Sequence, residues 1–191
     1  MATQIMLIRH GETEWSITGQ HTGRTDLPLT ANGERLASLL REPLKAKGFS
    51  HVLTSPLKRA HRTCELAGFG GVAQIDPLLQ EWDYGAYEGL TTKEIRAQHP
   101  QWNVFQDGAP RGESVEQISE RADQIIASLR ELEGTVAIFS HGHFLRALAV
   151  RWIGLPIIHG RHFSLETGAM CILGHENATP VVSLWNGVAL R

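Results

Sequence analysis

Arg9 and His10 stand side by side at the end of the apolar run Met6-Leu7-Ile8 and are followed by a glycine. Two groups able to carry positive charge repel each other and lose hydration when buried. Such a pair either faces water or holds an anion between its members. The same design returns far along the chain in "AIFSHGH" (137–143), where His141 ends another apolar run and Gly142 follows it. Arg59 joins the two histidines as a candidate, because it lies in the first turn of a helix opened by Ser55-Pro56, where the helix terminus favours anions. Arg62, nearby, reads as a solvated arginine. Glu81, in "LLQEWDYGAYEG", follows a further short apolar stretch. A carboxyl group beside a cationic phosphate site has a task, since expelling an alkoxide from a phosphate ester requires a proton donor.

These side chains need elements that bring them together. "QIMLI" (4–8), "TVAIFS" (135–140) and the weaker "HVLTS" (51–55) are short apolar runs bounded by polar residues or glycine, as strands buried on both faces are. Between them run helical patterns. Leu36, Leu39, Leu40 and Leu44 follow a Thr30 cap, and Pro43 should kink or end that helix. Leu57, Ala60, Cys64 and Ala67 form one stripe after Ser55-Pro56, which reads as an N-cap and first-turn pair. "SVEQ" (114–117) has the form of a capping box opening a helix to about Leu132. Gly142 to Ile153 reads as another helix, and "AMCILG" (169–174) and "VVSLW" (181–185) as strands joined by a turn near Asn177. Strands alternating with helices indicate an α/β domain with a largely parallel sheet. Ligands of such sheets collect beyond the carboxyl ends of the strands, where His10 and His141 fall.

The bulk properties restrict the function. The 191 residues suit one domain spanning the chain. A net charge of -2 gives no basic footprint for nucleic acid, so any anion must be held by a local cluster. Cys64 and Cys171 lie far apart without a CxxC pair, which suggests neither a thiolate zinc site nor a disulfide framework. No apolar run reaches the roughly 18 to 20 residues of a membrane span, and "MATQIMLIRHG" has no basic segment before an apolar one. A cytoplasmic protein is expected. The "HGH" of 141–143 has no persuasive third ligand in its neighbourhood, so neither metal nor other cofactor is expected; His143 is assigned to lining or structure. His21, His51, His61, His99, His159, His162 and His175 carry no claim.

The ordered set "RHGETEW" (9–15), "TGRTDLPLTANG" (22–33), "TSPLKRAHRT" (54–63), "EWDYGAYEG" (81–89), "GES" (112–114) and "SHGH" (140–143) resembles the histidine phosphatase superfamily, the phosphoglycerate mutase-like proteins, over nearly the whole chain. The resemblance implies a three-layer α/β/α sandwich. It implies that His10 is a nucleophile carrying the phosphoryl group, that Arg9, Arg59 and His141 form the phosphate pocket, and that Glu81 is the general acid. It also assigns substrate contacts to Thr22 and Gly23. Ser16 stands where mutases of the family have asparagine, which weakens a phosphate contact there.

On this reading His10 attacks as a neutral imidazole, its pKa lowered by the arginines, while a protonated His141 hydrogen-bonds the phosphate dianion. The substrate is a small phosphorylated metabolite. Only about 50 residues separate Gly89 from Ser140, leaving little chain for the closing lid that a mutase needs; a phosphatase is favoured over a mutase, and both over a non-catalytic binding module. The stretches "EWDYGAYEGLTTKEI" and "HGHFLRALA" look most like the sugar-bisphosphate phosphatases. Tyr84 could supply a hydroxyl to a sugar, and Trp82 is equally a sugar platform or a core aromatic. Gly142 would let backbone approach the ligand. Arg146 is either a snorkelling side chain or a clamp for a second phosphate.

Overall fold

The computed structural model describes residues 4–188; residues 1–3 of the segment weighed above as a leader lie outside them. The chain enters through β1 (Gln4–Arg9) and passes α1 (Glu14–Thr18), α2 (Ala31–Leu39), α3 (Arg41–Lys45), β2 (His51–Thr54), α4 (Lys58–Leu66) and β3 (Gln74–Ile75). The short helices α5 (Thr92–Gln98) and α6 (Val104–Asp107) lead into α7 (Val115–Arg130), β4 (Thr135–Ser140), α8 (Gly142–Trp152), β5 (Met170–Glu176) and β6 (Thr179–Gly187).

One six-stranded sheet runs in the order β3-β2-β4-β1-β5-β6. The first four strands are parallel, whereas β5 is antiparallel to β1 and β6 to β5. Alternation along β1 explains the layers. Ile5 and Leu7 pack with α7 and α8, while Met6 and Ile8 pack on the opposite face with Leu40, Leu44, Cys64 and Ala67. A continuous apolar run therefore serves two cores, which makes the three-layer α/β/α sandwich. Register then places the chemistry. Arg9 pairs with Ser140, so His10 and His141 leave adjacent strands at the same height.

Local chemistry accounts for the boundaries. The helix expected across Leu36–Leu44 is divided at Leu40 into α2 and α3. Pro43 has no N–H for the carbonyl of Leu39, but sits comfortably in the first turn of α3. Ser114 and Gln117 do form the capping box of α7, which ends at Arg130. Ser55 is not the N-cap of α4, as the sequence suggested. That helix starts at Lys58 with Leu57 at the cap and no side-chain cap bond; the Ser55 hydroxyl accepts the N–H of Leu57, just ahead of the helix, and reaches the site described next. Asn177 has a φ of 55° in the turn between β5 and β6, the left-handed conformation asparagine tolerates well.

Candidate active site

His10 is almost fully buried, and its Nδ1 lies 2.7 Å from the carbonyl of Gly11. Burial first, then the Arg59 and Arg9 guanidiniums, hold its pKa well below the ordinary histidine value. The ring is therefore neutral at pH 7. The Gly11 carbonyl can only accept, so Nδ1 carries the proton and donates it, and Nε2 keeps its lone pair.

Two arginines differ sharply in how they are used. Arg9 donates from Nη1 to the carbonyl of Leu165, and its buried Nε has no hydrogen-bond partner among the described residues. A buried N–H without an acceptor is costly, and an anion in the cleft would relieve it. Gly142 makes room for this guanidinium, since a Cβ there would lie 3.1 Å from Arg9 Nε. Arg59, fully buried on α4, donates from Nη1 to the carbonyl of Thr25, from Nη2 to those of Thr22 and Gly23, and from Nε to Nδ1 of His141. Four of its five N–H groups are committed, leaving one on Nη1.

That last contact corrects the expectation for His141. Its Nδ1 accepts from Arg59, and its Nε2 lies 2.8 Å from the Ser55 hydroxyl. Protonation at Nδ1 would set N–H against N–H. Burial, then Arg59, His10 and Arg9, hold the pKa well below the usual range. In this arrangement His141 is neutral, orients Arg59, and stands 5.2 Å from the His10 ring, centroid to centroid.

Glu81 sits where its loop meets the start of α8. Its Oε1 accepts the N–H groups of Trp82 and Phe144, and Oε2 accepts that of His143. Both lone pairs of Oε1 are used, and one remains on Oε2. Arg121 steadies the loop. It donates to the carbonyls of Leu78, Gln80 and Glu81 and pairs at 2.7 Å with Glu113, whose carboxylate takes the N–H of Asp83.

Arg9, His10, Glu81 and Gly142 line one cleft of about 240 Å³. A larger hollow of about 570 Å³ beside Trp102, His99 and Pro110 contains none of them; the chemistry, not the volume, selects the smaller. Tyr84, Arg146, Thr22 and Ser16 also line the cleft. The Tyr84 hydroxyl lies against His143 Nδ1, and burial pushes the phenol pKa well above its usual value, so the phenol keeps its proton. Arg146 donates from Nε to the carbonyl of Gly160 and stacks 4.6 Å from the centre of Phe105. Burial brings its pKa down to about 10, which leaves it charged at pH 7. No bond occupies its two terminal NH₂ groups among the described residues.

Other expectations change. Gly23 does not line the cleft. Its N–H is spent on the Glu88 carboxylate, and a Cβ would lie 2.5 Å from the Trp82 carbonyl, so glycine is required for packing here. Ser16 is committed to a capping box with Thr13 at the start of α1 and donates its hydroxyl proton to the Thr13 carbonyl. Trp82 is a core residue, fully buried, with its indole N–H on the Glu113 carbonyl. Arg62 is half-exposed and paired with Glu34 and Glu65, as a solvated arginine would be. Sequence reasoning missed His21, which lines the cleft against Tyr84, with ring centres 4.7 Å apart. It gave no signal because it follows neither an apolar strand nor a helix cap. Among the described residues no three histidine, cysteine or acidic side chains are grouped to hold a metal. No described helix is long and apolar enough to cross a membrane.

The buried imidazoles give a pH signature. Burial lowers the pKa of His21 to about 4 and those of His10, His141 and His143 well below 6.5. Above about pH 6.5 these groups are neutral folded or unfolded and leave stability unchanged. As pH falls below that value the unfolded chain gains protons that the folded one refuses, at about 1.4 kcal/mol per pH unit for each group. The loss from His21 stops growing near pH 4. The melting temperature should fall steadily between pH 6.5 and pH 5; a flat profile there would show that these rings are not held neutral.

A model of the histidine phosphatase superfamily, branch 1, matches residues 5–187. An acid phosphatase of Mycobacterium tuberculosis is 43% identical over 178 residues, spanning 91% of this chain and 87% of that protein. Sedoheptulose 1,7-bisphosphatase of Saccharomyces cerevisiae is 35% identical, over 82% of this chain and 70% of the relative. A solved structure from Mycobacterium tuberculosis superposes with a TM-score of 0.94 at 40% identity, covering 98% of this chain and 99% of that one.

Proposed function

Because the chain belongs to the histidine phosphatase superfamily (branch 1), we propose that it is a single catalytic domain hydrolysing phosphate monoesters of small metabolites, without metal, through phosphohistidine on His10. The observation that carries this reading is the His10 tautomer: Nδ1–H is fixed on Gly11 and the Nε2 lone pair is free in a cleft it shares with Arg9. In the first step Nε2 bonds to phosphorus as the bond to the ester oxygen breaks. The departing alkoxide takes a proton, held on Glu81 at the remaining lone pair of Oε2. Arg9, through its unpartnered Nε, and Arg59, through its last Nη1 proton, meet charge on the equatorial oxygens, the main catalytic demand in phosphoryl transfer. His141 acts here by fixing Arg59. In the second step the Glu81 carboxylate takes a proton from water as that water attacks phosphorus, and His10 leaves as the neutral imidazole.

The test is a screen of phosphorylated metabolites that follows inorganic phosphate, with and without chelator. Phosphate release unaffected by chelator is expected. Activity lost with chelator and restored by a divalent ion would remove the metal-free mechanism, and phosphoryl transfer to a second metabolite in place of water would make the protein a mutase.

The substrate class we infer is sugar bisphosphates, for which two features speak. Arg146 lines the cleft with charged NH₂ groups that no bond occupies among the described residues, and a relative in yeast is a sugar bisphosphatase. A charge-assisted contact to the uncleaved phosphate is worth roughly 1.5–3 kcal/mol, or about 10- to 150-fold. Arg146→Ala should therefore reduce kcat/KM for a sugar bisphosphate by about that factor more than for the matching monophosphate. Equal losses on both would return Arg146 to a packing role against Phe105.

A further inference from the structure

Thr63 lies one helical turn beyond Arg59 on α4 and is fully buried. Its Oγ1 donates to the carbonyl of Arg59 at 2.7 Å and accepts the N–H of Gly11 at 2.9 Å. The first bond is a habit of threonine in helices, returning to the carbonyl four residues back. The second is not local, spanning 52 residues. A hydroxyl has one proton, and the Arg59 carbonyl takes it, so a lone pair is turned towards Gly11. The peptide that carries this N–H joins His10 to Gly11. Its other polar end, the His10 carbonyl, accepts the N–H of Gly168 at 3.0 Å. The plane of that peptide is thus clamped at both ends. The next carbonyl, that of Gly11, holds the His10 ring.

We infer that Thr63 is a positioning residue for phosphoryl transfer, aiming Nε2 of His10 and tying it to the backbone of Arg59 through one buried hydroxyl. This rests on His10 being the nucleophile. Without the hydroxyl the Gly11 N–H is buried and unpaired, and rotation of the His10–Gly11 peptide towards another acceptor carries the Gly11 carbonyl and the His10 ring with it. Attack requires near-linear approach, and misplacement by about 1 Å can cost on the order of 100-fold.

Thr63→Val keeps the shape and removes both hydrogen bonds; Thr63→Ser keeps the hydroxyl. Each is assayed well below its own melting temperature, with single-turnover detection of phosphohistidine after an alkaline quench that preserves the acid-labile P–N bond. The valine variant should form phosphohistidine about 10- to 100-fold more slowly, with a matching fall in kcat and KM changed less than about threefold. Serine should restore most of the rate. If valine does not fold, Thr63→Cys, a much weaker acceptor of nearly the same size, should fall between serine and the expected valine value. A folded valine variant with wild-type formation kinetics, serine as slow as valine, or cysteine as fast as serine would each overturn the inference. Absence of phosphohistidine in the wild-type protein would instead overturn the premise about His10, and the inference with it.

Discussion

His10→Ala is expected to abolish turnover, with kcat reduced by about 10⁴-fold or more and the fold intact. The magnitude follows from the absence of a substitute in the geometry. His141, whose ring centre is 5.2 Å from that of His10, has Nδ1 occupied by Arg59 and Nε2 by Ser55, so neither nitrogen is free to attack. Removing His10 takes a neutral ring out of a cationic surrounding, and leaves space that phosphate or water fills. The folded state should not suffer heavily, since among the described residues the ring is hydrogen-bonded only to the carbonyl of the following residue. Rapid mixing with labelled substrate, followed by alkaline quench, should find label on the wild-type protein and none on the variant. Wild-type-like activity in the alanine variant would overturn the mechanism outright.

Glu81→Gln should be the next most damaging substitution, lowering kcat by about 10²- to 10⁴-fold on alkyl phosphates and much less on aryl phosphates. An aryl oxide leaves without help; an alkoxide needs the proton. The substitution also has a structural cost specific to this site. The carboxylate accepts three backbone N–H groups on two oxygens. A glutamine that keeps its oxygen towards Trp82 and Phe144 sets its NH₂ against the N–H of His143, donor against donor. Some of the loss is therefore displacement of the start of α8, common to all substrates. The ratio of alkyl to aryl losses removes that shared part. Equal losses on both classes would mean that Glu81 holds the α8 terminus and donates no proton.

Much of this protein was legible before any coordinates. The strand at 4–8, the strand at 135–140 and their terminal histidines stand out because a strand buried on both faces must be apolar at consecutive positions, and the first polar residue after it marks the edge of the sheet. The capping box at Ser114 and the break near Pro43 were visible because caps and prolines act within four residues. The motif order pointed to the five residues on which the proposed mechanism rests. Their meeting required tertiary structure: only the parallel pairing of β1 with β4 sets His10 beside His141. It also decided what each hydrogen-bond donor is free to do. Sequence spacing could not show that Ser55 serves His141 instead of capping α4, that Gly23 spends its N–H on Glu88, or that Gly142 makes space for Arg9. Nor could it show that His141 is neutral, since that follows from its burial and from a nitrogen facing Arg59 across 82 residues of chain. Residue types and local order are properties of a sequence; the allocation of each proton and lone pair belongs to contacts between distant segments, and it is those contacts that leave Nε2 of His10 and Nε of Arg9 unspent.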